Sequence, residues 1–80
     1  MREFIATFHT HLSALMTNRA LTAQGVQSRM MPVPRKLSSS CGTCVRYLAE
    51  DAMLSSMDED VEAVYEKLGR EEYTLLMNAE

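Results

Sequence analysis

The sequence lacks the charge and the long apolar runs of proteins that bind nucleic acid or cross membranes. Its 80 residues include 8 lysines and arginines and 11 aspartates and glutamates, a net charge of −3, so there is no broad basic field to hold nucleic acid or an anionic membrane. No segment approaches the roughly 20 apolar residues of a membrane helix. Residues 1–9 contain too short an apolar run for a signal peptide. We therefore expect a cytoplasmic protein.

Cysteine is also scarce, because the chain has only Cys41 and Cys44. A composition of 46% hydrophobic and 24% charged residues is typical of a globular protein, and 80 residues leave room for one domain, residues 1–80. Cytoplasmic cysteines stay reduced, so a Cys-x-x-Cys pair there is more often catalytic, redox-active or metal-binding than a structural disulfide.

Hydrophobic spacing predicts the element order β-α-β-β-α-β. Alternating patterns indicate strands at residues 3–8, 26–31, 43–48 and 72–77. Thr10 as cap and Gly25 as stop bound a helix at residues 11–24, and apolar residues from Leu54 to Leu68 recur at the spacing of a second helix. This order is typical of a ferredoxin-like α+β two-layer sandwich, in which two helices cover one face of a four-stranded antiparallel sheet.

The same patterns predict which faces are buried. The core-facing stripe of the first helix is predicted to be Leu12, Leu15, Met16, Ala20 and Ala23, and Leu21 is expected to be exposed. The open face of the sheet would carry Phe4, Phe8, Met30 and Tyr47. We therefore expect two copies of the chain to pair through this face as a homodimer. RNA-recognition domains share this topology, but the sequence lacks their aromatic-rich Lys/Arg-Gly-Phe pattern, so we predict no nucleic-acid partner.

Residues that can stabilise an anion surround Cys41. Gly42 permits a tight turn that aims backbone N–H groups at the sulfur. Further hydroxyls and positive charges come from Ser38, Ser39, Ser40, Arg35, Lys36 and Arg46. A thiol in such surroundings is stabilised as thiolate, the form that attacks sulfur, selenium, carbon or metals. Cys41 is therefore predicted to be reactive.

Several motifs resemble the selenium/sulfur carrier-like family of short domains. They are Phe8-His9-Thr10, Gly25, Arg29-Met30-Met31-Pro32-Val33-Pro34-Arg35, and Ser38-Ser39-Ser40-Cys41-Gly42, within a region of similarity from Glu3 to Tyr47. The chain departs from the family at Ser40, where glycine is expected, and at Cys44, where an aliphatic residue is expected. The resemblance implies that Cys41 carries sulfur or selenium as a persulfide or perselenide, received from a donor protein and passed to an acceptor protein, without a cofactor.

Other functions remain open from the residues alone. In one alternative, Cys44 attacks Cys41 in its loaded form and releases the bound sulfur or selenium. In another, the two cysteines are the active pair of a thiol-disulfide redox protein. Cys44 is equally well explained as a buried core residue, and both cysteines as incidental to a non-catalytic interaction module.

A zinc site is a further alternative, because His9 and His11 together with the two cysteines supply the right ligand types. The spacing matches no zinc finger, however. In the predicted sheet the first and third strands run parallel, which would put His9 and Cys41 at opposite edges. We predict no metal.

Overall fold

The computed structural model, which describes residues 1–79, has five strands and one α-helix. The elements are β1 Arg2–Phe8, α1 His11–Ala23, β2 Gln27–Pro32, β3 Thr43–Ala49, β4 Val61–Gly69 and β5 Glu72–Asn78, with a 3-10 turn at Leu54–Ser56. The predicted ferredoxin-like sandwich of four strands and two helices is therefore wrong. Within residues 1–79, no helix combines the length and the apolar character needed to span a bilayer.

The sheet has the order β2-β3-β1-β4-β5, and every neighbouring pair is antiparallel. β1 lies at the centre because it is apolar on both faces. Phe4, Ala6 and Phe8 are buried on one face, and Ile5 and Thr7 are buried on the other. The strand pattern of β1 predicts this position, since only a covered strand buries side chains on both sides.

The second predicted helix is wrong, because Val61–Gly69 forms β4. Val61 and Val64 are three residues apart, which resembles helical spacing, yet they face the same side of a strand. A register shift between Thr7 and Phe8 of β1 leaves Glu62 as an extra residue in β4, a β-bulge that breaks the alternation. The strand conformation also gives β1 a hydrogen-bonding partner along its second edge, which a helix would not provide.

The buried side of α1 also differs from the predicted stripe. Leu12 is 65% exposed and Met16 50% exposed, whereas Leu21, predicted to be exposed, is fully buried. The buried residues of α1 are Ser13, Ala14, Thr17 and Leu21. The two polar members are buried because their hydroxyls have partners in one residue: Ser13 donates to the Asp58 carboxylate at 2.7 Å, and Thr17 accepts from the Asp58 N–H at 2.9 Å.

Local signals set the ends of α1 as predicted. The Thr10 hydroxyl accepts a hydrogen bond from the Ser13 N–H at 3.1 Å, which caps the first turn. Gly25 follows the helix with a φ of 82°, in the left-handed region that favours glycine.

The two faces of the sheet are covered by different parts of the chain. Phe4, Phe8 and Tyr47, predicted for an open face, belong to the core beneath α1, and Met30 packs against that core. The opposite face is crossed by the loop of residues 33–42, which lines cavities together with Thr7 and Tyr65. The face that we assigned to homodimer pairing is therefore internal.

Candidate functional site

Two backbone hydrogen bonds stabilise the loop of residues 33–42, one joining its two ends and one closing a turn within it. The Val33 N–H donates to the Gly42 carbonyl at 3.2 Å, and the Leu37 N–H donates to the Pro34 carbonyl at 3.0 Å. Gly42 has a φ of 74°, so it makes the tight turn that its sequence position predicts. These contacts hold Cys41 at the turn directly before β3.

The Cys41 thiol is half-buried at the surface of this loop. It donates to the Thr43 carbonyl at 3.5 Å, and its sulfur lies 3.9 Å from the Ser39 hydroxyl oxygen. The Ser39 hydroxyl in turn donates to the Phe8 carbonyl at 2.8 Å, which links the loop to the end of β1. Cys41 is thus a partly exposed residue whose sulfur lies near a hydroxyl.

Glu62, which the sequence does not single out, holds the residue before Cys41. The bulge in β4 directs its carboxylate to Ser40, from which it accepts the backbone N–H at 3.2 Å and the hydroxyl at 2.5 Å. The same carboxylate lies 3.2 Å from His9 Nδ1. No sequence signal marks Glu62, because the bulge is visible only once β4 is paired with β1.

The pKa of Glu62 reflects these contacts. Burial by itself raises the pKa of the carboxyl, but the Ser40 hydroxyl and N–H, the Ser39 hydroxyl and the charge of His9 outweigh it, so the pKa lies below its ordinary value. Glu62 therefore holds the loop as a carboxylate at neutral pH.

The predicted cations make their contacts away from the sulfur. Arg46 Nε donates to the Glu3 carboxylate at 2.6 Å, and Arg35 and Lys36 line a separate cavity with Arg70. Ser38, another predicted site residue, lines a cavity with Ser39 and Ser40. The structure thus brings Ser39, Ser40 and Gly42 next to Cys41, and it directs Arg35, Lys36 and Arg46 elsewhere.

Cys44 lies in β3, opposite Thr7 of β1 and Met31 of β2, and is fully buried. Burial, followed by the neighbouring Cys41, raises the pKa of the Cys44 thiol to about 11. At pH 7 only about one Cys44 in ten thousand is then a thiolate. This burial favours the core-residue interpretation of Cys44 over a resolving or redox role.

The positions of the histidines correct one step of the zinc argument. β1 and β3 are antiparallel, so the end of β1 and the start of β3 meet at the same edge of the sheet. His9 Nδ1 lies 3.5 Å from the Ser40 hydroxyl, and His11 Nδ1 lies 3.5 Å from the Thr43 hydroxyl. Within the described part of the chain, however, no three His, Cys, Asp or Glu side chains are grouped so as to hold a metal ion.

Comparison with known proteins agrees with the motif resemblance. "Uncharacterized protein YtiA" of Escherichia coli (strain K12) is 38% identical over 45 residues, which are 56% of this chain and 53% of the relative. The match therefore spans about half the length of that protein. No solved structure matches this chain. The family model described as "Putative Se/S carrier protein-like" matches residues 3–66, most of the sequence, so the chain belongs to that family.

Proposed function

We propose that this protein carries sulfur or selenium on Cys41, as a persulfide or perselenide, from a donor protein to an acceptor protein. Membership of the Se/S carrier-like family supports the class of cargo. The observation that supports Cys41 as the carrier is the difference in burial between the two thiols. Cys41 is half-buried in a surface loop, whereas Cys44 is fully buried in the sheet.

Loading is a thiol exchange in which atoms and electrons balance. After the Cys41 thiol loses its proton to solvent, the thiolate attacks the terminal sulfur of a persulfide on the donor. The new S–S bond forms at Cys41 while the S–S bond of the donor breaks, and the donor cysteine leaves as a thiolate. Delivery is the same exchange, with an acceptor thiolate attacking the terminal sulfur on Cys41. No external oxidant, reductant or cofactor is consumed.

The immediate neighbours of Cys41 suit both the empty and the loaded forms. As a thiol, Cys41 donates to the Thr43 carbonyl. As an anion it needs a donor, and the Ser39 hydroxyl, 3.9 Å away, can turn from the Phe8 carbonyl towards the sulfur. Ser38, Ser40 and Gly42 shape the loop, and Arg35, Lys36 and Arg46 act on the sulfur only through longer-range positive potential.

Mass spectrometry of the intact protein tests this proposal. Incubation with a cysteine desulfurase and either cysteine or selenocysteine should add one sulfur or one selenium atom to the wild type and to Cys44→Ser, but not to Cys41→Ser. Cys44→Ser is the matched control, because it removes a thiol three positions away. Labelling of Cys41→Ser, or no labelling of the wild type, would contradict the proposal. Loss of two hydrogens on mild oxidation would instead favour the redox function.

A further inference from the structure

A second feature of the molecule is a cavity of about 240 Å³ between two turns that are distant in sequence. One turn is closed by the hydrogen bond from the Leu37 N–H to the Pro34 carbonyl and carries Arg35 and Lys36 at its central positions. The other connects β4 to β5 and consists of Arg70 and Glu71. The fold thus brings three cations from two segments to the wall of one cavity.

These three cations have no ionic partner among residues 1–79. The ion pairs of lysine and arginine in that part of the chain use Arg2, Arg46 and Lys67. Among residues 1–79, Glu71 is the single acidic residue on the wall of this cavity, so three cations and one carboxylate leave an excess of two positive charges there. In a chain of net charge −3, this local excess on exposed side chains attracts anions.

The geometry points to a binding site for the phosphate group of a small phosphate monoester. We infer that Arg35, Lys36 and Arg70 hold the phosphate. Guanidinium groups bind phosphate oxygens in pairs, and a lysine ammonium adds a compact charge. A phosphate dianion also matches the excess of two charges.

The neighbouring space accommodates the rest of such a molecule. A second cavity of about 460 Å³ shares Lys36, Glu71 and Tyr73 with the first. Its wall also includes Leu37, Tyr65, Leu68 and Leu75, which offer apolar and aromatic surface, together with Thr74 and a second carboxylate, Glu72. The favoured ligand therefore has a phosphate at one end and an apolar or aromatic body at the other.

Titration of the full ¹⁵N-labelled chain with inorganic phosphate and with phenyl phosphate, at constant ionic strength, tests this site. Amide shifts should be concentrated in residues 35–37 and 69–73, and phenyl phosphate should bind several-fold more tightly than inorganic phosphate. Shifts scattered over the chain, or equal shifts with sodium chloride, would overturn the proposal. Equal affinity for the two phosphates would overturn the apolar body of the ligand.

Charge-neutralising variants locate the site. Arg35→Gln and Arg70→Gln should each weaken phenyl phosphate binding about tenfold, as expected for the loss of one charge-assisted contact. Arg19→Gln on α1 removes an equal charge elsewhere and should leave binding unchanged. Equal weakening by all three variants would show attraction to net charge only and would contradict the site. Cys41→Ser should bind phenyl phosphate like the wild type, so this test and the carrier test fail independently.

Discussion

The Glu62 carboxylate binds Ser40 at two points, the backbone N–H at 3.2 Å and the hydroxyl at 2.5 Å. It therefore fixes the residue before Cys41 to a bulge in β4. Because the same carboxylate lies 3.2 Å from His9 Nδ1, the Cys41 loop, the residue that follows β1 and the start of β4 are joined through one side chain. The position of Cys41 thus depends on the ionised form of Glu62.

Glu62→Gln should lower the free energy of unfolding by about 1–2 kcal/mol at pH 7, because charge-assisted hydrogen bonds become neutral ones. The folded pKa of Glu62 lies below the ordinary 4.5, so its stabilising contribution is complete above that pH and is lost as pH falls through the folded value. Urea unfolding at several pH values measures this. The difference in the free energy of unfolding between the wild type and Glu62→Gln should narrow below pH 4.5. Glu59→Gln is the exposed control, and an unchanged gap in acid would contradict this role of Glu62.

The two cysteines should differ in reactivity towards iodoacetamide. With a pKa of about 11, Cys44 has a thiolate fraction more than roughly 100-fold below that of an ordinary thiol, and burial also blocks the reagent. The native wild type should therefore take up one label at pH 7.5, and native Cys41→Ser should take up almost none. In denaturant both proteins should label fully. Rapid labelling of native Cys41→Ser would show that Cys44 is accessible and would restore the redox alternative.

Local signals in the sequence predict α1 and four of the five strands, and they fail for β4. The Thr10 cap, Gly25 and Pro32 lie at or next to the ends of α1 and β2, so short-range rules locate these elements. The ambiguous segment is β4. Its bulge places Val61 and Val64 on one face at a spacing of three, and only pairing with β1 distinguishes that strand from a helix.

The candidate site also has one part that the sequence predicts and another that it does not. Cys41, Ser39 and Gly42 are close in sequence, so their proximity in the loop follows directly from the motif. The partner of Arg46 depends instead on strand register, which sets Arg46 opposite Ile5 and diagonal to Glu3 on the same face of the sheet. A cation near in sequence was therefore a poor guide to the charge next to the sulfur.

A pair of leucines tests which face of α1 is buried. Leu21→Ala should lower the free energy of unfolding by about 2–5 kcal/mol, because it leaves a cavity in the core. Leu12→Ala should change it by less than about 0.5 kcal/mol, because Leu12 is 65% exposed. Urea unfolding of both variants provides the comparison. Since the two changes are chemically identical, a larger loss for Leu12→Ala would show that the helix packs on the stripe predicted from sequence.

Gly42 tests whether the turn before β3 controls the thiol. Among residues 1–79, and apart from the two chain neighbours, no atom would lie within 4 Å of a Cβ at position 42, so any cost arises from the φ of 74°. Gly42→Ala should therefore lower the free energy of unfolding by about 1–2 kcal/mol, whereas Gly42→Asn should cost less, because asparagine tolerates this region. Urea unfolding measures the cost, and the rate of Cys41 alkylation reports the loop. If alanine and asparagine gave equal losses, backbone strain would not be the cause. If the alkylation rate departed from that of the wild type less in Gly42→Asn than in Gly42→Ala, the same turn would set both the stability of the protein and the exposure of the sulfur.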